Sequence, residues 1–439
     1  MEGVTQTLNR EAVEERSRDE PEWLRRRRLD AWSAYERTPL PTTRLEEWRY
    51  TDLSRLLKLD ELALGGPGEE TADSPVLPQE LRQTMDVDWA AAGHLVEVDG
   101  KVVHTDLLEE LAEQGVVLTS LQAGLESHGE LLEDQLGAAL PGESGKFQAL
   151  NGALWSDGVL LVVPRGVRVE LPIRVSRWLS QAGSAHFSRT LILAREGSEV
   201  SYVDEILSPD LEKQSLFSSG VEVVAEPGSN VRAVSLQRMG LGAFHLSQQR
   251  TLAYRDASVD TLNVTLGASV ARLDLNCRLL EPGSNSDMLG LHFAGDGQHF
   301  DHNTRQDHQA PHTRSDLLYK GALEGKARTV FRGVINVAEG AQGTDAYQTN
   351  RNLLLSEHAR ADSLPNLEIA ADDVRCSHGA TVGQLDDEAL FYLMSRGLTR
   401  RKAERLVVRG FLGEVISRFP MGGVVEKVSK AIELKLRKM

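Results

Sequence analysis

One turn recurs through the middle of this chain, and its spacing leaves few folds open. Val163-Pro-Arg-Gly166 is followed by Ala194-Arg-Glu-Gly197, Ala225-Glu-Pro-Gly228, Ala253-Tyr-Arg-Asp256-Ala257 and Leu280-Glu-Pro-Gly283. From Gly166 through Gly197, Gly228, Ala257 and Gly283 the steps are 31, 31, 29 and 26 residues. The turn returns at Leu323-Glu-Gly-Lys326 and at Val337-Ala-Glu-Gly340. Between turns apolar residues alternate, as in Val159, Leu161 and Val163, in Leu262, Val264 and Leu266, and in Leu273, Leu275, Cys277 and Leu279. Period-two alternation marks strands with one buried face. Corner and strand repeated at this length indicate a solenoid, and glycine at each corner permits a left-handed backbone. Hairpin dipeptides are scarce apart from Asn151-Gly152, so a parallel β-helix fits better than a sandwich. Its strands are expected to bury an apolar column and leave polar residues outside.

The flanks read differently. Residues 1–148 form a charged, α-rich region. Glu11 to Tyr35 carries Val13, Trp23, Leu24, Trp32 and Tyr35 among many charges, and Pro39 and Pro41 break the helix. The Arg25 to Arg28 run reads as a solvated helix face rather than a basic patch. Gly65-Gly66-Pro67-Gly68 and Pro141-Gly142-Glu143-Ser144-Gly145 mark loops. Residues 149–384 hold the β-helix. In 385–439, Asp386 or Asp387 is placed to cap a helix through Arg396, ended by Gly397. Thr399 is placed to cap the next, where Ala403, Leu406, Val407, Phe411 and Val415 keep helical spacing until Pro420. Val424 to Leu436 forms a third helix. So short a helical segment needs a surface, either the solenoid end or another chain.

Composition removes several function classes. The 439 residues carry 49 Lys+Arg against 65 Asp+Glu, a formal charge of −16 that repels nucleic acid and anionic lipid. Hydrophobic residues at 41% are enough for a sizeable core. Cys277 and Cys376 are the only cysteines, which excludes a disulfide framework and points to a reducing compartment. Without a Cys-x-x-Cys pair the chain cannot supply four thiolates to a cluster or to zinc. Met1 to Gln6 lacks the features of a signal peptide, and no stretch approaches a membrane span, so a cytoplasmic protein is expected.

Four constellations bear on chemistry. In Asp372-Asp373-Val374-Arg375-Cys376-Ser377-His378-Gly379, a strand would put Val374, Cys376 and His378 on one face. Thiol and imidazole there make two metal ligands, a thiolate–imidazolium nucleophile, or a buried Cys beside a hydrogen-bonded His. No oxyanion element or orienting acid stands nearby, and two ligands are too few for a closed metal site, so a partner chain would have to complete it. His299, His302, His308 and His312, with Asp301, Asp307 and Asp316, have loose metal spacing, but Pro311 interrupts them, and polar corner or ladder residues are the better reading. Gly142-Glu-Ser-Gly145-Lys146-Phe147 echoes a phosphate loop and fails it. Leu140 stands where the first glycine belongs, and Phe147 where Ser or Thr belongs. Cys277, in register with Leu273, Leu275 and Leu279, reads as core.

Three segments together resemble the SufB/SufD family, scaffolds of the SUF iron–sulfur assembly system. They are Pro365-Asn-Leu-Glu-Ile369, Asp372-Asp-Val-Arg-Cys-Ser-His-Gly-Ala-Thr-Val-Gly383 and Leu390-Phe-Tyr-Leu-Met-Ser-Arg-Gly-Leu398. The Cys376-Ser-His-Gly-Ala-Thr381 form is similar to the SufD branch, as is Arg44-Leu-Glu-Glu-Trp-Arg-Tyr-Thr-Asp-Leu53. The resemblance implies a right-handed parallel β-helix with an N-terminal helical region and a C-terminal helical subdomain. It implies a non-catalytic subunit that pairs with a SufB-type sister and a SufC-type ABC ATPase. A nascent Fe–S cluster would be built at the SufB contact, with His378 as a ligand there and Cys376 given less weight. The ATPase would dock on the C-terminal helices, at Thr399, Ala403, Leu406, Val407 and Phe411. A flavin is associated with some such complexes, but this chain shows no dinucleotide fingerprint. The competing readings are a structural β-helix homodimer, pairing through an open terminal rung, and a β-helix enzyme on carbohydrate, with Asp301, Asp307 and Asp316 as its only obvious carboxylates.

Overall fold

The computed structural model describes residues 7–66, 81–82, 90–419 and 421–437. Within them the chain winds into a parallel β-solenoid of about eight turns, flanked by N-terminal and C-terminal helices. The strands form two ten-stranded sheets, and from Asp157–Val163 onward successive strands alternate between them. The first sheet runs from Val117–Ser120 and Asp157–Val163 to Arg360–Ile369. The second runs from Lys101–Leu107, Gly93–Val98 and Ile173–Trp178 to Val374–Gln384. All rung-to-rung pairing is parallel. Antiparallel pairs occur only at the N-terminal end, where strands from the first 148 residues extend both sheets. That region therefore supplies strands as well as helices. Pro420, Pro67, Gly68 and Met1 to Gln6 lie outside the described residues.

The recurring turn is a row of corners. Gly197 (φ 66°) and Gly228 (φ 68°) take the left-handed backbone, and each N–H donates to the next rung, at Pro227 and Arg255 (2.9 and 2.8 Å). Asp256 (φ 56°) and His312 (φ 57°) fill the same place in two rungs. Asp and His tolerate this conformation better than most residues. The corner is thus Asp256 rather than Ala257, and in the later rung Gly343 (φ 72°) rather than Gly340.

Alternation predicted one buried face per strand, and here the structure differs. Every residue of Asp157–Val163 and Ser184–Ala194 is buried. The inward row, with Val159, Leu161, Ile192 and Cys277, forms the column core. The outward row, with Leu160, Val162, Leu191 and Leu193, packs under Leu150, Leu154 and Trp155 of the Lys146–Leu154 helix and its neighbours. On the second sheet Leu262, Val264, Leu289 and Leu291 also face outward, against Val408, Leu412, Val415 and Ile432. The C-terminal helices Arg400–Ser417 and Gly422–Arg437 therefore lie along the flank of the solenoid, not across its end.

The interior, in turn, is not uniformly apolar. Arg177 reaches across the column to Asp204 (3.0 Å), Glu97, Ser188 and Thr190, all buried. Farther along, His292 and His302 stack with ring centroids 4.9 Å apart. On the N-terminal side, Arg25, Arg26 and Arg27 are exposed as expected, but Arg28 is fully buried. It pairs with Glu20 (2.6 Å) and donates to the carbonyls of Ala153 and Trp155 (3.1 and 2.9 Å). One arginine of that run thus pins a helix to the solenoid. Cys277 is buried among Leu273, Leu275 and Leu279, as its register indicated, and burial pushes its thiol up to about 12.

Candidate functional site at the open rung

The last rung consists of Arg360–Ile369 and Val374–Gln384, one at the end of each sheet. Among the described residues each is paired on one side only, with Arg328–Val337 and Thr344–Leu354. Two strand edges therefore stand open at one end of the column, a ready template for another chain.

Register fixes what this end displays. Cys376 lies opposite Ala346, His378 opposite Gln348 and Val382 opposite Asn352. Those three partners are buried and face the interior. In a parallel sheet, residues in register point the same way, so Cys376, His378 and Val382 look over the mouth of the column. From the facing sheet, Ser363 donates to Asn350 Oδ1 (2.7 Å), while Leu367 and Ile369 continue the inward rows of Ile335 and Val337. Leu367, Ile369 and Val382 are 36%, 40% and 44% exposed. The mouth is thus an apolar rim around an imidazole and a thiol.

The two chemical groups differ in state. His378 is exposed, and among the described residues no hydrogen bond or ion pair holds its ring. Beneath it Gln348 is fully buried, and its amide has no partner among the described residues. Cys376 is half-buried against Ile335, Val337 and Ala346. Burial raises its thiol above the ordinary range, and the Asp345 charge adds to this. A thiol of this kind is a poorer nucleophile and ligand than a free thiolate. Among the described residues no three His, Cys, Asp or Glu side chains come together to hold a metal ion.

The other histidine–aspartate group is dispersed. His302 and His308 point inward and are buried. His299 and Asp301 lie on the outer face and meet Thr51, at 2.9 Å and 2.5 Å. His312 is a corner residue, Asp307 pairs with Arg278 (3.3 Å) and Asp316 with Arg418 (2.8 Å). The Arg44–Leu53 segment is accounted for here. Its Trp48 ring lies 3.6 Å from the Arg272 guanidinium and its Thr51 binds Asp301, so it fastens the N-terminal region to the first sheet.

On the C-terminal helices, Asp386 caps Asp387–Ser395 and Thr399 caps Arg400–Ser417. Thr399 is exposed, Leu406 is half-exposed and Val407 partly buried, whereas Ala403 is fully buried and Phe411 packs on the solenoid. Lys320 holds that contact, donating to the Phe411 carbonyl (3.1 Å) and to Glu414. Phe391 (72% exposed), Tyr392 and Met394 form a large exposed apolar group that helical spacing alone did not single out.

Comparison with known proteins bears on the whole chain. The family described as "SUF system FeS cluster assembly, SufBD core domain" matches residues 177–411, and "SufBD protein N-terminal region" matches residues 6–175. An iron–sulfur cluster assembly SufBD family protein of Staphylococcus haemolyticus is 28% identical over 434 residues, covering 97% of this chain and 91% of that protein. Its counterpart in Staphylococcus saprophyticus is 29% identical over 432 residues with the same coverage, and one in Staphylococcus aureus is 28% identical over 433 residues, again covering 97% of this chain and 91% of that protein. The open rung, the stacked column and the flanking helices are those of a chain that belongs to the SufBD family of the SUF iron–sulfur cluster assembly system.

Proposed function

We propose that this chain is the SufD-type, non-catalytic member of a SUF scaffold. Its open rung pairs with a SufB-type sister subunit, and a nascent Fe–S cluster is built as cargo at that contact. The observation that carries this reading is His378, displayed unbonded over an apolar mouth between two unpaired strand edges. A chain with one such imidazole and one high-pKa thiol supplies part of a ligand set, so the rest comes from the partner. Neutral imidazole is available as a ligand near pH 7. A SufC-type ATPase would dock on the C-terminal helices through Phe391, Tyr392, Met394 and Leu406, the apolar side chains left uncovered there. The setting is the cytoplasm, where two free cysteines remain reduced.

The test is anaerobic iron and sulfide reconstitution of the three-subunit complex with His378→Ala. The expected result is a complex that assembles normally and loses at least about tenfold in cluster yield, since one ligand is gone while the rim is intact. A cluster yield equal to the parent would reject the role of His378. A second variant tests the contact itself. Ile369→Asp with Val382→Asp places two charges on the apolar rim, and size-exclusion chromatography should show the sister subunit eluting separately, with affinity down by about a hundredfold or more. Co-elution at the parent's affinity would move the contact elsewhere. Because both side chains are already part-exposed, the melting temperature of the isolated chain should stay close to that of the parent.

A further inference from the structure

The segment Gly142-Glu-Ser-Gly145-Lys146-Phe147 lacks the residues of a phosphate loop, yet the fold gives its second half a setting that suits an anion. The Lys146–Leu154 helix starts after Gly145, and no side chain caps it. The N–H groups of Lys146, Phe147 and Gln148 therefore have no acceptor within the helix, and they sit at the positive end of its dipole. All three residues line a cleft of about 360 Å³ between the 38–48 segment and the outer face of the first sheet.

The opposite wall is basic. Five cationic residues line the cleft against two carboxylates, Glu47 and Asp274, so this surplus is local in a chain whose net charge is −16. Arg272 is engaged by Asp274 (3.1 Å) and Asp301. Arg305 and Arg332 reach only exposed glutamates, Glu368 (3.3 Å) and Glu46 (3.6 Å), in pairs that solvent screens. The half-buried Arg250 donates to two backbone carbonyls, those of Gln249 (3.0 Å) and Asp274 (3.1 Å), and forms no ion pair among the described residues. Burial lowers its pKa, with the Asp274 charge working against that. The Lys146 ammonium likewise donates to a carbonyl, that of Tyr35 (2.6 Å). Finally, Gln248 is 2% exposed and lines the same cleft, and its side-chain oxygen has no partner among the described residues.

Two cations whose hydrogen bonds go to carbonyls, Arg250 and Lys146, an uncapped helix start and a buried amide oxygen without a partner among the described residues thus meet in one cleft. We propose that it binds a phosphate-bearing small molecule. The phosphate is received by Arg250, Lys146 and the first amides of the helix, and a hydrogen-bonding group of the same molecule meets Gln248. Both preformed helix termini and guanidinium groups favour phosphate. The site lies on the outer flank of the first sheet rather than in the mouth of the column, and its lining comes from this chain alone.

The test is isothermal titration of the full-length chain with three probes, adenosine 5′-monophosphate, inorganic phosphate and adenosine. Saturable binding of the monophosphate or of inorganic phosphate is expected, with none for adenosine. Affinity should fall about tenfold or more in Arg250→Gln and in Lys146→Gln, and should be unchanged in Arg165→Gln, an exposed corner residue. Tighter binding of the monophosphate identifies a nucleotide-like ligand, and equal binding identifies free phosphate. Should Arg250→Gln fail to fold, Lys146→Gln with Arg305→Gln carries the comparison. Absence of saturation by either phosphate probe, adenosine binding as well as its monophosphate, or affinity that survives the variants would overturn the proposal. Since the lining comes from this chain alone, the result is independent of the scaffold role.

Discussion

Between pH 7 and pH 5 the protein is expected to lose most of its stability. Seven histidines are buried with depressed pKa values, chiefly through desolvation: His94, His186 and His308 at about 4, His245 and His302 at about 3, and His292 and His299 lowered as well. Hydroxyls meet several of the rings, Ser176 at His94 (3.0 Å), Thr265 at His302 (3.1 Å), Thr313 and Ser315 at His308 (2.7 Å each). The folded chain therefore holds these imidazoles neutral, while the unfolded chain protonates them near pH 6.5. A folded pKa below the unfolded one gives stability that is complete above pH 6.5 and is lost as the pH falls towards the folded value. The loss is about 1.4 kcal/mol per histidine at one unit below 6.5, or on the order of 6 kcal/mol for five of them between pH 7 and 5.5. That is comparable to the whole stability of a typical domain, about 5–15 kcal/mol. Burial also raises the carboxyls of Glu97, Asp157, Asp204, Asp260 and Glu324, and these work in the opposite direction as the pH falls. Backbone N–H bonds moderate the rise at Asp157 and Asp260, the Arg177 charge does so at Glu97 and Asp204, and Arg401 and Lys435 do so at Glu324, so the seven histidines dominate. Thermal melts followed by circular dichroism across this range check the expectation. A melting temperature at pH 5.5 within about 2 °C of that at pH 7.5 would count against it, because several kcal/mol corresponds to a much larger shift.

The second large effect is expected at Arg177. Replacing it with Ala should destabilise the chain by about 3–5 kcal/mol, the usual result of removing one partner from a buried ion pair. The guanidinium is met by Asp204 at 3.0 Å, by Glu97, and by the hydroxyls of Ser188 (2.5 Å) and Thr190 (2.8 Å), and none of these side chains reaches solvent. Without Arg177, two carboxylates remain inside the column with no cation. The variant Arg177→Met combined with Glu97→Gln and Asp204→Asn removes all three charges and should recover most of the loss. Urea unfolding midpoints separate the two. A single Arg177→Ala variant within about 1 kcal/mol of the parent would mean that water already reaches the cluster.

Much of the fold was legible because a solenoid writes its geometry along the chain. Corner residues recur at each turn, strands alternate between them, and capping residues such as Asp386 and Thr399 announce the terminal helices through local hydrogen bonds. The strand that carries Cys376 and His378 was legible in the same way, since period two alone places both on one face.

What the sequence could not say is what covers each face. Alternation in Leu262 and Val264 reveals an apolar row, but the row turned out to face outward, towards helices more than 140 residues later in the chain. The 400–417 helix shows the same gap. Ala403 belongs to the buried stripe as its spacing suggested, but Val408, Leu412 and Ile416 complete it, while Leu406 remains exposed. Arg28 and Arg177 were invisible because their partners are far off in sequence, Trp155 for one and Glu97 for the other. The sequence by itself determined the repeat, the strands and the local caps, since these depend on neighbours a few residues apart. Only the tertiary structure decided which charges are buried together, which apolar rows are covered and which rung stays open, because those outcomes depend on long-range contacts that leave no periodic trace.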